Sequence, residues 1–338
     1  MPDFCSALYL GMRHPSSALE PWGALTLGQP AALCEMAAAP LIAARLARLQ
    51  GCQAACLLPS TLHLYWDLFG MFAGEPLVLL VDQASYPIAR WGAERAQALG
   101  LPLRRFACGD MAELCALVRC WRKAGRRPLI LADGVVPGRE RAPPLAGYAA
   151  LARQAGGYLL LDDTQALGVL GQDGGGSARR HGLRGEHIVI GASLAKGFGV
   201  PLAVLAGAEG LIQRFMAHSQ TRVHASPPSA AVLAAASRAL AINARHGEYL
   251  RARLAANVAQ WRAGLASAGI ASRGGAFPVQ HLPGRAHWQS PLQAAGVRAL
   301  AQTGGLTFLL RADHAPAQLA QVIGLLDCYA RRRYERVI

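Results

Sequence analysis

Residues 158 to 171 read YLLLDDTQALGVLG: an apolar run, two adjacent carboxylates, then a glycine-bounded loop. Four apolar residues in a row suit a parallel strand covered on both faces, and an acid at its carboxyl end stands where open α/β sheets bind ligands. Lysine supplies the second clue, because only two of the 34 basic residues, Lys123 and Lys196, are lysine. Arginine stays protonated and makes no imine, so any side-chain Schiff-base chemistry must use one of these two amines.

Lys123 lies in RCWRKAGRR, a basic helix end suited to a solvated charge. Lys196 lies in GASLAKGFGVP, just after an apolar strand and inside a glycine-rich turn where backbone can approach a ligand closely. Ser193, three residues earlier, places a hydroxyl where it can bind a phosphate. Asp162 and Lys196 are 34 residues apart, enough for one loop and one crossover between neighbouring strand ends. An acid that keeps a pyridinium protonated, an amine that forms an imine and donors for a phosphate are the requirements of pyridoxal phosphate.

These side chains need a scaffold. Helical periodicity runs from Ala31 to Gln50, with Gly51 at a stop position. A short strand in ACLL, a turn at Pro59, Ser60 and Thr61, and a helix from about Leu62 follow. Further strands are expected at 76–82, 102–108, 128–134, 158–162, 187–193 and 201–207, with helices at 111–123 and 145–154 and another through Arg90 and Ala98. Strands alternating with helices imply a doubly wound, mainly parallel sheet. The expected organisation is an N-terminal segment (1–30), a large cofactor-binding domain (31–227), a connecting helix (228–268) and a small C-terminal α+β domain (269–338). In the last, a helix is expected near Pro291 to Leu300 and a final one from Ala315 to Arg331.

The composition narrows the class. With 53% hydrophobic and 16% charged residues the chain is globular. The net charge of +14 comes from scattered arginines, apart from Arg331 to Arg333 near the end, and so points to an anionic small molecule and away from nucleic acid. Eight cysteines without C-x-x-C pairs or histidines at zinc spacing read as free thiols, so no metal is expected. The start MPDFCSALYLGMRHP lacks a secretory pattern and no membrane span is read, giving a cytoplasmic expectation.

LLLDDTQALGVLGQDGGGS, GASLAKGFGVP and HASPPSAA, in that order and with YLGMRHP upstream, resemble consecutive signatures of the α-oxoamine synthases, most closely the 8-amino-7-oxononanoate synthases. The likeness spans essentially the whole chain and implies an aspartate-aminotransferase-like fold with a mainly parallel central sheet and a small C-terminal α+β domain. It implies a homodimer that condenses an amino acid with an acyl thioester, from acyl-CoA or an acyl carrier. An aminotransferase on the same fold and a catalytically silent homologue acting as a partner protein are the alternatives.

By that resemblance Asp162 holds the pyridine nitrogen, Lys196 forms the imine and Ser193 stands at a phosphate-binding threonine. Thr61 and Leu62 fall at a helix start whose amides cradle the phosphate, and His224 falls where family members reach across a dimer interface. Three positions depart from the pattern. Tyr86 replaces a stacking histidine, Gln165 a histidine that donates to the cofactor's phenolic oxygen, and Pro137 a serine. Tyrosine can stack and an amide can donate, but neither has the acid/base range of imidazole, and proline donates nothing. The family's Arg-Pro-Pro-Thr loop is shortened here to ALAQTGGLTF, leaving Arg13, Arg298 and Arg311 as the arginines considered for a substrate carboxylate.

Overall fold

The computed structural model describes residues 2–139, 142–302 and 304–334. They form two compact units, one of Arg13–Val136 and Ala142–Arg245, the other of Met1–Met12, Pro137–Arg141 and His246–Ile338.

In the first unit, chain order runs α1 (Ala38–Gln50), β1 (Ala54–Leu58), α2 (Thr61–Phe72), β2 (Leu77–Asp82), α3 (Pro87–Ala98) and β3 (Leu103–Phe106). Then come α4 (Met111–Lys123), β4 (Arg127–Asp133), α5 (Leu145–Gln154), β5 (Tyr158–Asp162) and α6 (Gly176–Arg180). The series closes with β6 (Ile188–Ser193), β7 (Ala203–Gly207), α7 (Glu209–His218), α8 (Gln220–His224) and the long α9 (Ala230–Ser267), which continues into the second unit.

The seven strands lie in the order β1-β7-β6-β5-β4-β2-β3. Pairings from β6 through β5, β4 and β2 to β3 are parallel, while β7 runs antiparallel to both β6 and β1. The double reversal points β1 the same way as the parallel strands. Its carboxyl end, and with it the start of α2, therefore opens at the same sheet edge as those of β2, β4, β5 and β6.

Alternation along the strands builds a core on each face. Leu79, Leu131 and Leu160 pack with Leu64, Phe69 and Ala93 of α2 and α3. Leu80, Ile130 and Leu161 pack on the other face with Leu114, Val118 and Tyr148 of α4 and α5. Each of these leucines and isoleucines is fully buried, a contribution of about 1.5–3 kcal/mol apiece. At the sheet edge, β3 exposes Arg104 and Arg105, charges that discourage further strand addition.

The expected sheet is present, with corrections at element ends. The helix expected from Ala31 starts at Ala38, because Pro40 lacks an amide hydrogen and fits only a first turn. Gly51 does end it, in a left-handed conformation with φ 76°. Helices α6, α7 and α8 lie where none was expected. The second unit carries a three-stranded antiparallel sheet, β8 (Val279–Pro283), β10 (Gly305–Leu309) and β9 (Leu300–Gln302) in that spatial order, with α10 (Gln289–Ala294) and α11 (Pro316–Tyr334). The helix expected to reach Leu300 stops at Ala294, since Gly296 turns the chain with φ 77° into β9.

Candidate active site

Four loops meet at the edge where the parallel strands end. After β1, Ser60 precedes α2 without capping it; its hydroxyl pairs with His63 Nδ1 at 2.8 Å. The amides of Thr61, Leu62 and His63 have no acceptor among the described residues, which leaves a helix N-terminus open to an anion. After β2, Tyr86 precedes Pro87 at the start of α3, with its ring half exposed. Asp162 ends β5 and is buried at 5% exposure, one carboxylate oxygen accepting the Thr164 amide at 3.0 Å. Gln165 is half-buried in the turn that follows.

Ser193 ends β6, its amide bonded to Thr164 Oγ1 at 3.0 Å and its hydroxyl accepting the Ala195 amide at 3.2 Å. The turn beyond carries Lys196, whose Nζ lies 5.6 Å from the centre of the Tyr86 ring. Burial lowers the Lys196 pKa, and the charges of Asp162 and Asp133 partly oppose that fall. An amine so placed reaches its neutral, nucleophilic form more readily than a solvated lysine. Gly197 makes the approach possible: a Cβ there would collide with the Leu167 carbonyl, so only glycine lets the lysine turn lie against the loop after Asp162. His224 ends α8 on the exposed surface, and no contact among the described residues joins it to the other seven.

The neighbouring acid does different work. Asp163 is fully buried, accepts the amide and hydroxyl of Ser177, and sends its own amide to the Gly191 carbonyl at 2.8 Å. It joins the loop after β5 to α6, and a Cβ on Gly134 or Gly176 would strike its carboxylate. Burial pushes its pKa up to about 6, against the lowering effect of the Ser177 bonds.

Sequence reasoning missed Asp133. It ends β4 in register with Asp162 on β5, is buried at 6% exposure, and accepts the Tyr86 amide at 3.0 Å. Burial, reinforced by the Asp162 charge, raises its pKa well above the carboxylate range. The paired acids thus favour one negative charge between them. Beside them the Tyr65 hydroxyl is wholly buried without a well-formed hydrogen bond, and burial and the two acids raise its pKa as well. The signal for Asp133 was available in LILADG, which ends on an acid as LLLD does. Of the arginines considered for a substrate carboxylate, Arg311 has a structural setting. It is buried, bonds Asp313 at 2.8 Å and the Asp3 carbonyl at 2.9 Å, and so anchors the start of the chain within the second unit.

An acid on the sheet floor, a shielded amine over an aromatic ring, a hydroxyl and an uncapped helix start supply the donor types that pyridoxal phosphate requires, so these residues fit that cofactor. Comparisons with known proteins agree. A model of class I and II aminotransferases matches residues 96–318. The 8-amino-7-oxononanoate synthase of Geobacter metallireducens is 30% identical over 343 residues, covering 95% of this chain and 87% of that protein. That of Alkalilimnicola ehrlichii is 34% identical over 229 residues, 67% of this chain but only 57% of the relative's length.

In structure, the Sphingomonas wittichii serine palmitoyltransferase matches 98% of this chain and 87% of its own with a TM-score of 0.87 at 18% identity. The Francisella tularensis 8-amino-7-oxononanoate synthase matches 98% of both chains with a TM-score of 0.78 at 17% identity. At such identities the likeness speaks for the fold. Fold and site together define a pyridoxal-phosphate-dependent transferase of aspartate-aminotransferase-like architecture. Within that class, the chain belongs to the α-oxoamine synthase family.

Proposed function

We propose that the protein condenses an amino acid with an acyl thioester, forming a carbon–carbon bond at the α-carbon and releasing the thiol and carbon dioxide to leave an amino ketone. The observation that carries this reading is the shielded Lys196 amine beside the buried acid pair Asp133 and Asp162. When bound, pyridoxal phosphate supplies an electron sink for negative charge at the α-carbon. Asp162 holds the proton on the ring nitrogen. Lys196 Nζ anchors the cofactor, then takes and returns the proton at the α-carbon. The α2 amides of Thr61 and Leu62, with Ser193, bind the phosphate, and Tyr86 covers the ring.

Gln165 has amide hydrogens to donate to the cofactor's phenolic oxygen and moves no proton. Solvent-borne or lysine-borne protons therefore do what the family's imidazoles do elsewhere. The working unit is a homodimer, with His224 reaching towards the second copy. Exposed Leu62 of α2 and exposed Trp91 of α3 support such pairing, because they leave apolar side chains exposed on neighbouring helices.

The deciding assay supplies amino acids with and without acyl-CoA and follows both free thiol and cofactor absorbance. Thiol released only when amino acid and thioester are both present supports condensation. Conversion to the pyridoxamine form by amino acid alone would make the protein an aminotransferase. A colourless protein that does not respond to added cofactor would make it a silent homologue.

A further inference from the structure

A groove opens at the amino-terminal ends of the central strands, inside the first unit and at the opposite sheet edge from Lys196. Its wider part has a volume of about 730 Å³, within the range of small-molecule pockets. Tyr158 lines it at one end of β5 and Asp162 ends the same strand four residues later, roughly 13 Å away. The groove is thus separate from the place proposed for the cofactor.

Its lining is cationic. Arg153 comes from the last turn of α5, Arg184 from the loop before β6 and Arg214 from α7, with His187 between them. The guanidinium groups of Arg153 and Arg184 have no hydrogen bond or ion pair among the described residues. Arg214 bonds Glu75 at 2.9 Å, but Glu75 also serves Arg127 at 3.0 Å, and the Arg214 Nε is buried without a partner. Glu186 is the acid on the rim.

The start of α7 faces the same space. Gln53 Oε1 accepts the Glu209 amide at 3.0 Å, and the next amides, of Gly210 and Leu211, line the groove without an acceptor. Converging guanidiniums and a helix N-terminus are the donors that phosphate oxygens take. A narrower arm of about 300 Å³ continues past Arg184 to Gln50. Gln50 is 1% exposed, and its Oε1 is buried with no donor.

We propose that this groove is a second binding site, for a phosphate-bearing small molecule of nucleotide size. The phosphate lies against Arg153, Arg184 and the α7 amides, and the body of the molecule extends along the groove. The site does not depend on the condensation reaction, so its test stands apart from that of the proposed activity.

Calorimetric titration of the cofactor-loaded protein with inorganic pyrophosphate and with adenosine diphosphate tests it, since the loaded cofactor already occupies its own phosphate cradle. Saturable binding of both is expected, with adenosine diphosphate at least threefold tighter. Replacing Arg153→Ala and Arg184→Ala together weakens both at least tenfold while the thermal midpoint and cofactor absorbance stay unchanged, because both side chains are exposed and unpaired. The control pair Arg119→Ala and Arg122→Ala, exposed on α4, leaves binding within twofold. Absence of saturable binding, or equal loss in the two double variants, which would mark mere overall charge, overturns the proposal.

Discussion

Two carboxylates in register on neighbouring strands, with one amine above them, set the protonation pattern of the site. Asp133 carries the raised pKa, so its neutral form is the one to imitate. Asp133→Asn keeps an acceptor for the Tyr86 amide and should hold the cofactor within about threefold of wild type, whereas Asp162→Asn should lower turnover by about 10²–10⁴. Equilibrium dialysis of the cofactor and steady-state rates check the two; equal behaviour would mean the acids share their roles. Lys196→Ala should abolish the near-visible absorbance of the bound cofactor, read directly by spectrophotometry.

Asp163 gives a pH signature of stability. Its pKa rises from an ordinary carboxylate value to about 6 in the fold. Between about pH 4 and 6 the folded chain keeps a proton that the unfolded chain has released, so stability falls as pH rises, by about 3 kcal/mol through this group. Urea midpoints of Asp163→Asn should lack that step when compared with wild type at pH 4, 5, 6 and 7. Much of the site was legible in the sequence, since Asp162, Lys196 and Ser193 sit at the ends of apolar strands. Asp133 was not, because its importance lies in a strand register that no spacing along the chain encodes. The structural setting of Arg311 was hidden for a similar reason: its partners Asp313 and Asp3 include one from the other end of the chain.

At the scale of elements, polar ties hold the helices that carry the site. Asp67 of α2 is buried and accepts the hydroxyl of Ser219 and both the amide and hydroxyl of Thr221, fastening the start of α8 to α2. Asp67→Ala leaves those donors buried and should cost about 2–4 kcal/mol, measured by urea unfolding. The turn at Gly197 is equally unforgiving. Gly197→Ala should weaken cofactor binding by pushing the lysine turn off the Leu167 carbonyl, with a stability loss of about 1–3 kcal/mol. Strand positions were readable because buried parallel strands are continuous apolar runs. The start of α1 needed Pro40 to be weighed against helical periodicity, and α7 lies in a stretch whose apolar residues Leu211, Ile212 and Phe215 follow helical spacing without an obvious start signal.

For the whole molecule, sedimentation of the loaded protein should give twice the 35.7 kDa chain mass, and a single-chain value at micromolar concentration would refute the dimer. Among the described residues, no helix is long and apolar enough to cross a membrane. The position of β1 has a further bearing on how the molecule is made. Among the described residues its one partner strand is β7, with Leu58 opposite Ala203 and Ala54 opposite Gly207, while the parallel strands between them along the chain pair with one another. A ribosome that has delivered residues up to β6 has released a nearly complete sheet whose first strand has nothing to join. The strand that leads into α2 is thus joined to the sheet only once β7 has arrived, whereas α2 itself can already pack on α3 and the central strands, so the sheet edge is closed late around a helix placed early.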